Sequence, residues 1–115
     1  MLTVGRLQRG GILGTIILGL SSGIAFAERC TFTLECFEGE VCSETNFSMD
    51  AFEDRLITDA ETIPVSAGGV GDTHSFVGFT ESAMHLLTRK IGGDARYSTH
   101  IFDGPLMVNY LGTCE

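Results

Sequence analysis

The side chains in this sequence with chemistry to offer are four cysteines, three histidines and fifteen carboxylates. The cysteines decide most. Cys36 and Cys42 stand symmetrically about Gly39, with Cys30 before them and Cys114 near the end. A close pair of cysteines can be a redox centre, half of a metal site or a disulfide, and the compartment selects among these. Residues 1–10 carry Arg6 and Arg9 and no acid, residues 12–20 are a short apolar run, and Ala25-Phe26-Ala27 follows a Ser-Ser-Gly break. That order predicts a secretory signal cleaved after Ala27. The apolar run falls short of the roughly 20 residues that cross a bilayer. Cys30 is preceded by Ala27-Glu28-Arg29, a poor lipoprotein box. The expected product is periplasmic or secreted, and its thiols are expected in disulfides.

Four cysteines allow three pairings. A hairpin turning at residues 38–40 places Cys36 opposite Cys42, within disulfide reach. Cys30 and Cys114 then join the first strand to the last. The rival pairing is Cys36 with Cys114 and Cys30 with Cys42.

His74, His85 and His100 fall on three different predicted strands, so neighbouring strands could converge them on a metal. Their spacing matches no compact zinc motif, and the expectation is strand histidines with no assigned metal ligand and no cofactor. Serine–histidine–acid chemistry needs a fixed nucleophile, and no nucleophile elbow is present. The acid clusters Glu38/Glu40 and Asp50/Glu53/Asp54 fall in expected turns, where solvated charge is the ordinary explanation; the second lacks EF-hand spacing. No catalytic residues are assigned, and the chain is not expected to be an enzyme.

Beyond residue 27, five basic residues (Arg29, Arg55, Arg89, Lys90, Arg96) face all fifteen acidic ones, a net charge of −10. Nucleic acid and anionic membrane surfaces require clustered Lys and Arg, so neither is an expected partner. A cationic protein partner fits the charge, because opposite fields speed encounter.

The elements that must position these residues read as strands. Residues 29–36 alternate, with Cys30, Phe32, Leu34 and Cys36 expected on one face. Residues 41–47 form the return strand, and residues 48–54 suit either one helical turn or a loop. Residues 55–59 and 61–66 are two further strands, the second marked by Pro64 as an edge or bulge. Residues 67–72, rich in glycine, read as a flexible loop. Residues 73–80 and 83–89 form a hairpin, and residues 95–102 and 106–111 close the chain around Asp103-Gly104. On the first of these last strands Tyr97, Thr99 and Ile101 share a face; on the second, Leu106, Val108 and Tyr110 do. About eight short strands at regular spacing predict one all-β domain over residues 28–115, an antiparallel barrel or meander stapled by two disulfides and expected to be a monomer. Such a domain is small enough to need those staples.

One stretch resembles a known family. Gly92-Gly93-Asp94-Ala95-Arg96-Tyr97, followed by a closing strand with a terminal cysteine, looks like the periplasmic inhibitors of c-type lysozyme. The resemblance implies an eight-stranded barrel, a disulfide from the first strand to the chain end, and partner contacts from Gly93, Arg96 and Tyr97. Gly92 stands where that family has a serine, and the chain lacks the family's usual tryptophan. The expected function is a non-catalytic binding module for a protein partner. The alternatives are a c-type lysozyme inhibitor and a periplasmic metal-binding protein using the histidines or acidic loops.

Overall fold

The computed structural model describes residues 27–115, so the expected export signal lies outside the described residues apart from Ala27. Eight strands follow in order: β1 (Glu28–Phe37), β2 (Ser43–Ala51), β3 (Arg55–Ile57), β4 (Thr62–Val70), β5 (Thr73–Phe79), β6 (Ala83–Lys90), β7 (Asp94–Ile101) and β8 (Leu106–Cys114). Each pairs antiparallel with its sequence neighbours, and β8 returns to β1, closing the barrel. Closure removes the exposed edges that an eight-stranded meander would leave.

The interior holds Phe32, Met49, Leu56, Ile63 and Leu87, all fully buried, around the Cys30–Cys114 bond. Truncating one of these to alanine costs about 2–5 kcal/mol. Outward positions carry Arg29, Glu44, Asn46 and Arg96, all exposed. Apolar inside and polar outside is the inverse of a membrane-spanning barrel. Among the described residues no helix is long and apolar enough to cross a membrane.

Both disulfides join the pairs expected from hairpin symmetry. Cys36 and Cys42 are 4.2 Å apart at Cα, and Cys30 and Cys114 are 4.0 Å apart. Gly39 takes φ of 78°, a left-handed conformation that glycine adopts without a Cβ penalty, and so turns the first hairpin.

The structure departs from the sequence reading in three places. The alternation of β1 does not persist. Its register shifts between Phe32 and Leu34 against β2, and at Leu111/Gly112 against β8. Leu34 then pairs with Leu111, whose other partner is the exposed Arg96, while Glu35 pairs with Tyr110, whose other partner is the buried Tyr97. Directly paired residues share a face, so Leu34 and Cys36 turn outward and Glu35 turns inward. Gly112 permits this, because a Cβ there would overlap Thr31 O and Phe32 Cα.

Second, residues 67–70 are strand. Ala67, Gly68, Gly69 and Val70 pair with Phe76, Ser75, His74 and Thr73, leaving only Gly71-Asp72 as the turn. Third, residues 48–51 continue β2 as strand, so Asp50 stands on a strand, ion-paired to Arg29 at 2.9 Å. Pro64 does occupy a local edge. Residues 62–64 of β4 pair only with β3, and residues 65–70 only with β5, so its missing N–H costs no ladder bond towards β5.

Candidate functional site

The barrel has two ends of different construction. One, the seam pole, holds the Cys30–Cys114 bond, the turns at residues 52–54, 71–72 and 91–93, and Glu115. The other, the hairpin pole, holds the Cys36–Cys42 bond and the connections at residues 38–42, 58–61, 80–82 and 102–105.

At the seam pole the three-residue β3 is too short to cover its neighbours. A cavity of about 280 Å³ opens there, lined by Ala51, Phe52 and Glu53 on one side and by Gly68, Gly69 and His74 on the other. Inside it Arg89 Nε meets Glu28 Oε1, with side chains only 11% and 17% exposed. Buried Nη1 of Arg89 has no hydrogen-bond partner among the described residues. Inward charges at a barrel mouth persist only as a pair, because either one alone would lose its hydration without compensation.

At the hairpin pole a concavity of about 250 Å³ is lined by Phe47, Thr58, Glu61, His85, Tyr97 and Tyr110. The alternation of β6 turns Ala83, His85 and Leu87 inward, and the turn at residues 91–93 sets Leu87 opposite Tyr97 and His85 opposite Thr99. His85 and Tyr97 are thus diagonal neighbours on one face. His85 Nδ1 lies 2.6 Å from the Tyr97 hydroxyl, and Nε2 lies 3.3 Å from Thr80 Oγ1. Burial, together with the Glu61 charge, lifts the Tyr97 phenol well above the ordinary tyrosine range. Thr80 Oγ1 donates to Ala83 O and so accepts from Nε2–H, which assigns the neutral ring's proton to Nε2 and leaves Nδ1 to accept from the protonated Tyr97 phenol. Burial lowers the pKa of His85, against a weaker opposing pull from Glu61, which favours the neutral ring. Tyr110 is pushed up to about 12, chiefly by burial and then by the Glu35 carboxylate beside it. Phe32, Phe47, Tyr97 and Tyr110 pack with ring centroids 5.0–6.2 Å apart, and the last three of these rings floor the concavity.

The charge is unevenly placed. Every connection at the hairpin pole carries exposed acid: Glu38 and Glu40, Asp59 and Glu61, Glu81, and Asp103. Among the described residues none of these connections holds a Lys or Arg, and all five basic residues lie in the seam half. Apolar side chains stand among the hairpin-pole acids: Val41 is 92% exposed, Phe79 63% and Phe102 52%.

The three positions singled out by the inhibitor resemblance do not form one surface. Gly93 lies in the β6–β7 turn and accepts a hydrogen bond from Cys114 N–H. Arg96 is exposed on the outer face, its Nη1 donating to Ala95 O, while Tyr97 points into the barrel with 4% exposure. The histidines do not converge either. His74 lines the seam-pole cavity, His85 is buried at the other end, and His100 is exposed outside. Among the described residues Glu28, Cys30 and Cys114 are the one close group of histidine, cysteine and acidic ligands, and both sulfurs are in the disulfide. Glu53 and Asp54 lie between β2 and β3, Asp54 paired with Arg55 at 2.7 Å.

Sequence reasoning missed the His85–Tyr97 pair and the Glu28–Arg89 pair. The first was within reach, since a β6–β7 hairpin turning at Gly92 fixes that register. The second needed closure, because β1 and β6 do not pair. Comparison with known protein families, with curated proteins and with solved structures finds no match. The fold and site define a closed, disulfide-stapled antiparallel barrel with one acidic, aromatic-floored mouth.

Proposed function

We propose that this is an exported, non-catalytic binding module that receives a cationic protein partner at its hairpin pole. The observation that carries the reading is the segregation of charge: six exposed loop carboxylates, no Lys or Arg among them, and exposed Val41, Phe79 and Phe102 between them. Such a surface draws a positive partner by its field and holds it by apolar contact. Two disulfides and the signal-like start support export. A binding role rather than a catalytic one is supported by the burial of His85, whose 3% exposure keeps its imidazole from a substrate at the mouth.

The test is surface plasmon resonance against c-type lysozyme and against cytochrome c as cationic probes. A hairpin-pole set (Glu40→Gln, Asp59→Asn, Glu81→Gln, Asp103→Asn) should abolish binding at low salt. A seam-pole set (Glu53→Gln, Asp72→Asn, Asp94→Asn, Glu115→Gln) should leave it intact. Equal losses from both sets would sink the reading.

The inhibitor reading draws on one observation of its own, the exposed guanidinium of Arg96 close to the residue 91–93 turn. It requires Arg96→Ala to relieve inhibition of a c-type lysozyme while the hairpin-pole set does not.

A further inference from the structure

Three soft-donor side chains, distant in sequence, meet on the outer face of the barrel. Met84 on β6 is directly opposite His100 on β7, and His100 is directly opposite Met107 on β8. Directly paired residues project to one face with Cβ atoms about 4.5–5.5 Å apart. That face is the outer one, because the flanking Ala83, His85 and Val108 are buried. His100 is exposed, and the two methionines are half-buried. An accessible imidazole therefore stands between two thioethers, each on a side chain with three rotatable bonds that can swing its sulfur over the neighbouring strand.

The row is braced on both flanks. Met107 N–H donates to Glu38 Oε1 at 2.7 Å, and Glu38 N–H donates to Met107 O at 3.2 Å. Glu38 belongs to the short loop closed by Cys36–Cys42. On the other flank Phe79, largely exposed, is directly opposite Met84, offering an aromatic face beside the sulfur. The six loop carboxylates of the same pole raise the local concentration of cations.

Thioether and imidazole donors select soft ions, whereas hard cations take carboxylate and carbonyl oxygen. The geometry points to a surface site for a soft monovalent cation, Cu(I) or Ag(I), ligated by the sulfurs of Met84 and Met107 and a ring nitrogen of His100, with Phe79 alongside. The site borders the proposed partner surface through Phe79 and Glu38, but its three ligands lie in the outer row, so silver binding is read out separately from partner binding.

Silver nitrate is the probe, since Ag(I) needs no reductant and the described residues include no free cysteine to compete. The oxidised protein, with its methionine methyls ¹³C-labelled, is titrated by calorimetry and NMR. One equivalent should bind, moving the methyl signals of Met84 and Met107 and leaving that of buried Met49 in place. Met84→Leu and Met107→Leu, volume-conserving changes on an outer face, should each weaken binding about tenfold or more, and His100→Gln should do the same, with NMR dispersion showing each variant folded. The proposal is overturned if no silver binds, if the Met84→Leu/Met107→Leu double variant binds as tightly as the parent, or if zinc binds as tightly as silver.

Discussion

At the seam pole the charged side chains turn inward and neutralise each other: Glu28 and Arg89 are buried as a pair beside the bond that joins first strand to last. At the hairpin pole the interior sets His85 and two protonated tyrosines around a single inward carboxylate, that of Glu35, and six further carboxylates stand outside on the loops. The same alternation of eight strands builds both ends. One keeps its charge for holding the barrel together, and the other displays charge to solvent. Stability is therefore expected to depend most on the seam pole, and recognition on the hairpin pole.

Disulfide removal should break that symmetry most. Replacing Cys30 and Cys114 by serine frees a link across 84 positions and should cost about 4–5 kcal/mol; replacing Cys36 and Cys42, six positions apart, should cost about 2 kcal/mol. Urea unfolding of the two variants checks the order, and a larger loss from the hairpin pair would overturn it.

The buried ion pair is next. Arg89→Met leaves Glu28 inside without a partner and should cost about 3–5 kcal/mol, whereas Arg89→Met with Glu28→Gln should recover much of that. At the opposite mouth Tyr97→Phe removes the donor to His85 Nδ1 and should cost about 1–3 kcal/mol. Denaturant midpoints of these three variants sharpen the contrast between a mouth held by an ion pair and one held by hydrogen bonds.

A pH experiment isolates the hairpin pole, because both tyrosines of the chain lie there and tryptophan is absent. Both phenols are raised in the folded state, Tyr110 to about 12 and Tyr97 further. A raised pKa means that the folded form holds its proton more tightly than the unfolded one. The associated stability is fully present below the ordinary tyrosine value of about 10 and is lost as pH rises towards 12. The tyrosinate absorbance should accordingly rise in the native protein only well above pH 10, and a rise centred near 10 for both rings would contradict their burial.

The smallest expected effect on stability comes from the exposed loops. The hairpin-pole neutralising set should change it by no more than about 0.5 kcal/mol per residue while removing affinity for cationic probes.

Much of the barrel was legible because its signals are local. Gly39 between Cys36 and Cys42 marks a hairpin, Asp103-Gly104 marks another, and the alternation groups Tyr97, Thr99 and Ile101 on one face. The glycine run at residues 67–70 misled, since flexibility in isolation says nothing about a partner strand, and β5 supplies one. The face of Glu35 misled for a related reason. A two-residue alternation cannot register shifts that arise against partner strands, here β2 at Phe32/Leu34 and β8 at Gly112, where the missing Cβ lets β8 press against β1.

The sequence by itself pointed to an all-β chain, to a disulfide across the Cys36–Cys42 hairpin and to a marked acid excess beyond residue 27, because these follow from composition and short-range spacing. Only the tertiary structure decided where the charge lies, that Tyr97 faces inward and Arg96 outward at the two poles' common strand, and that Met84, His100 and Met107 share a row. Those facts depend on the pairing of strands β6 to β8 and on the closure of β8 against β1, and in a closed barrel position around the circle is set by register rather than by distance along the chain.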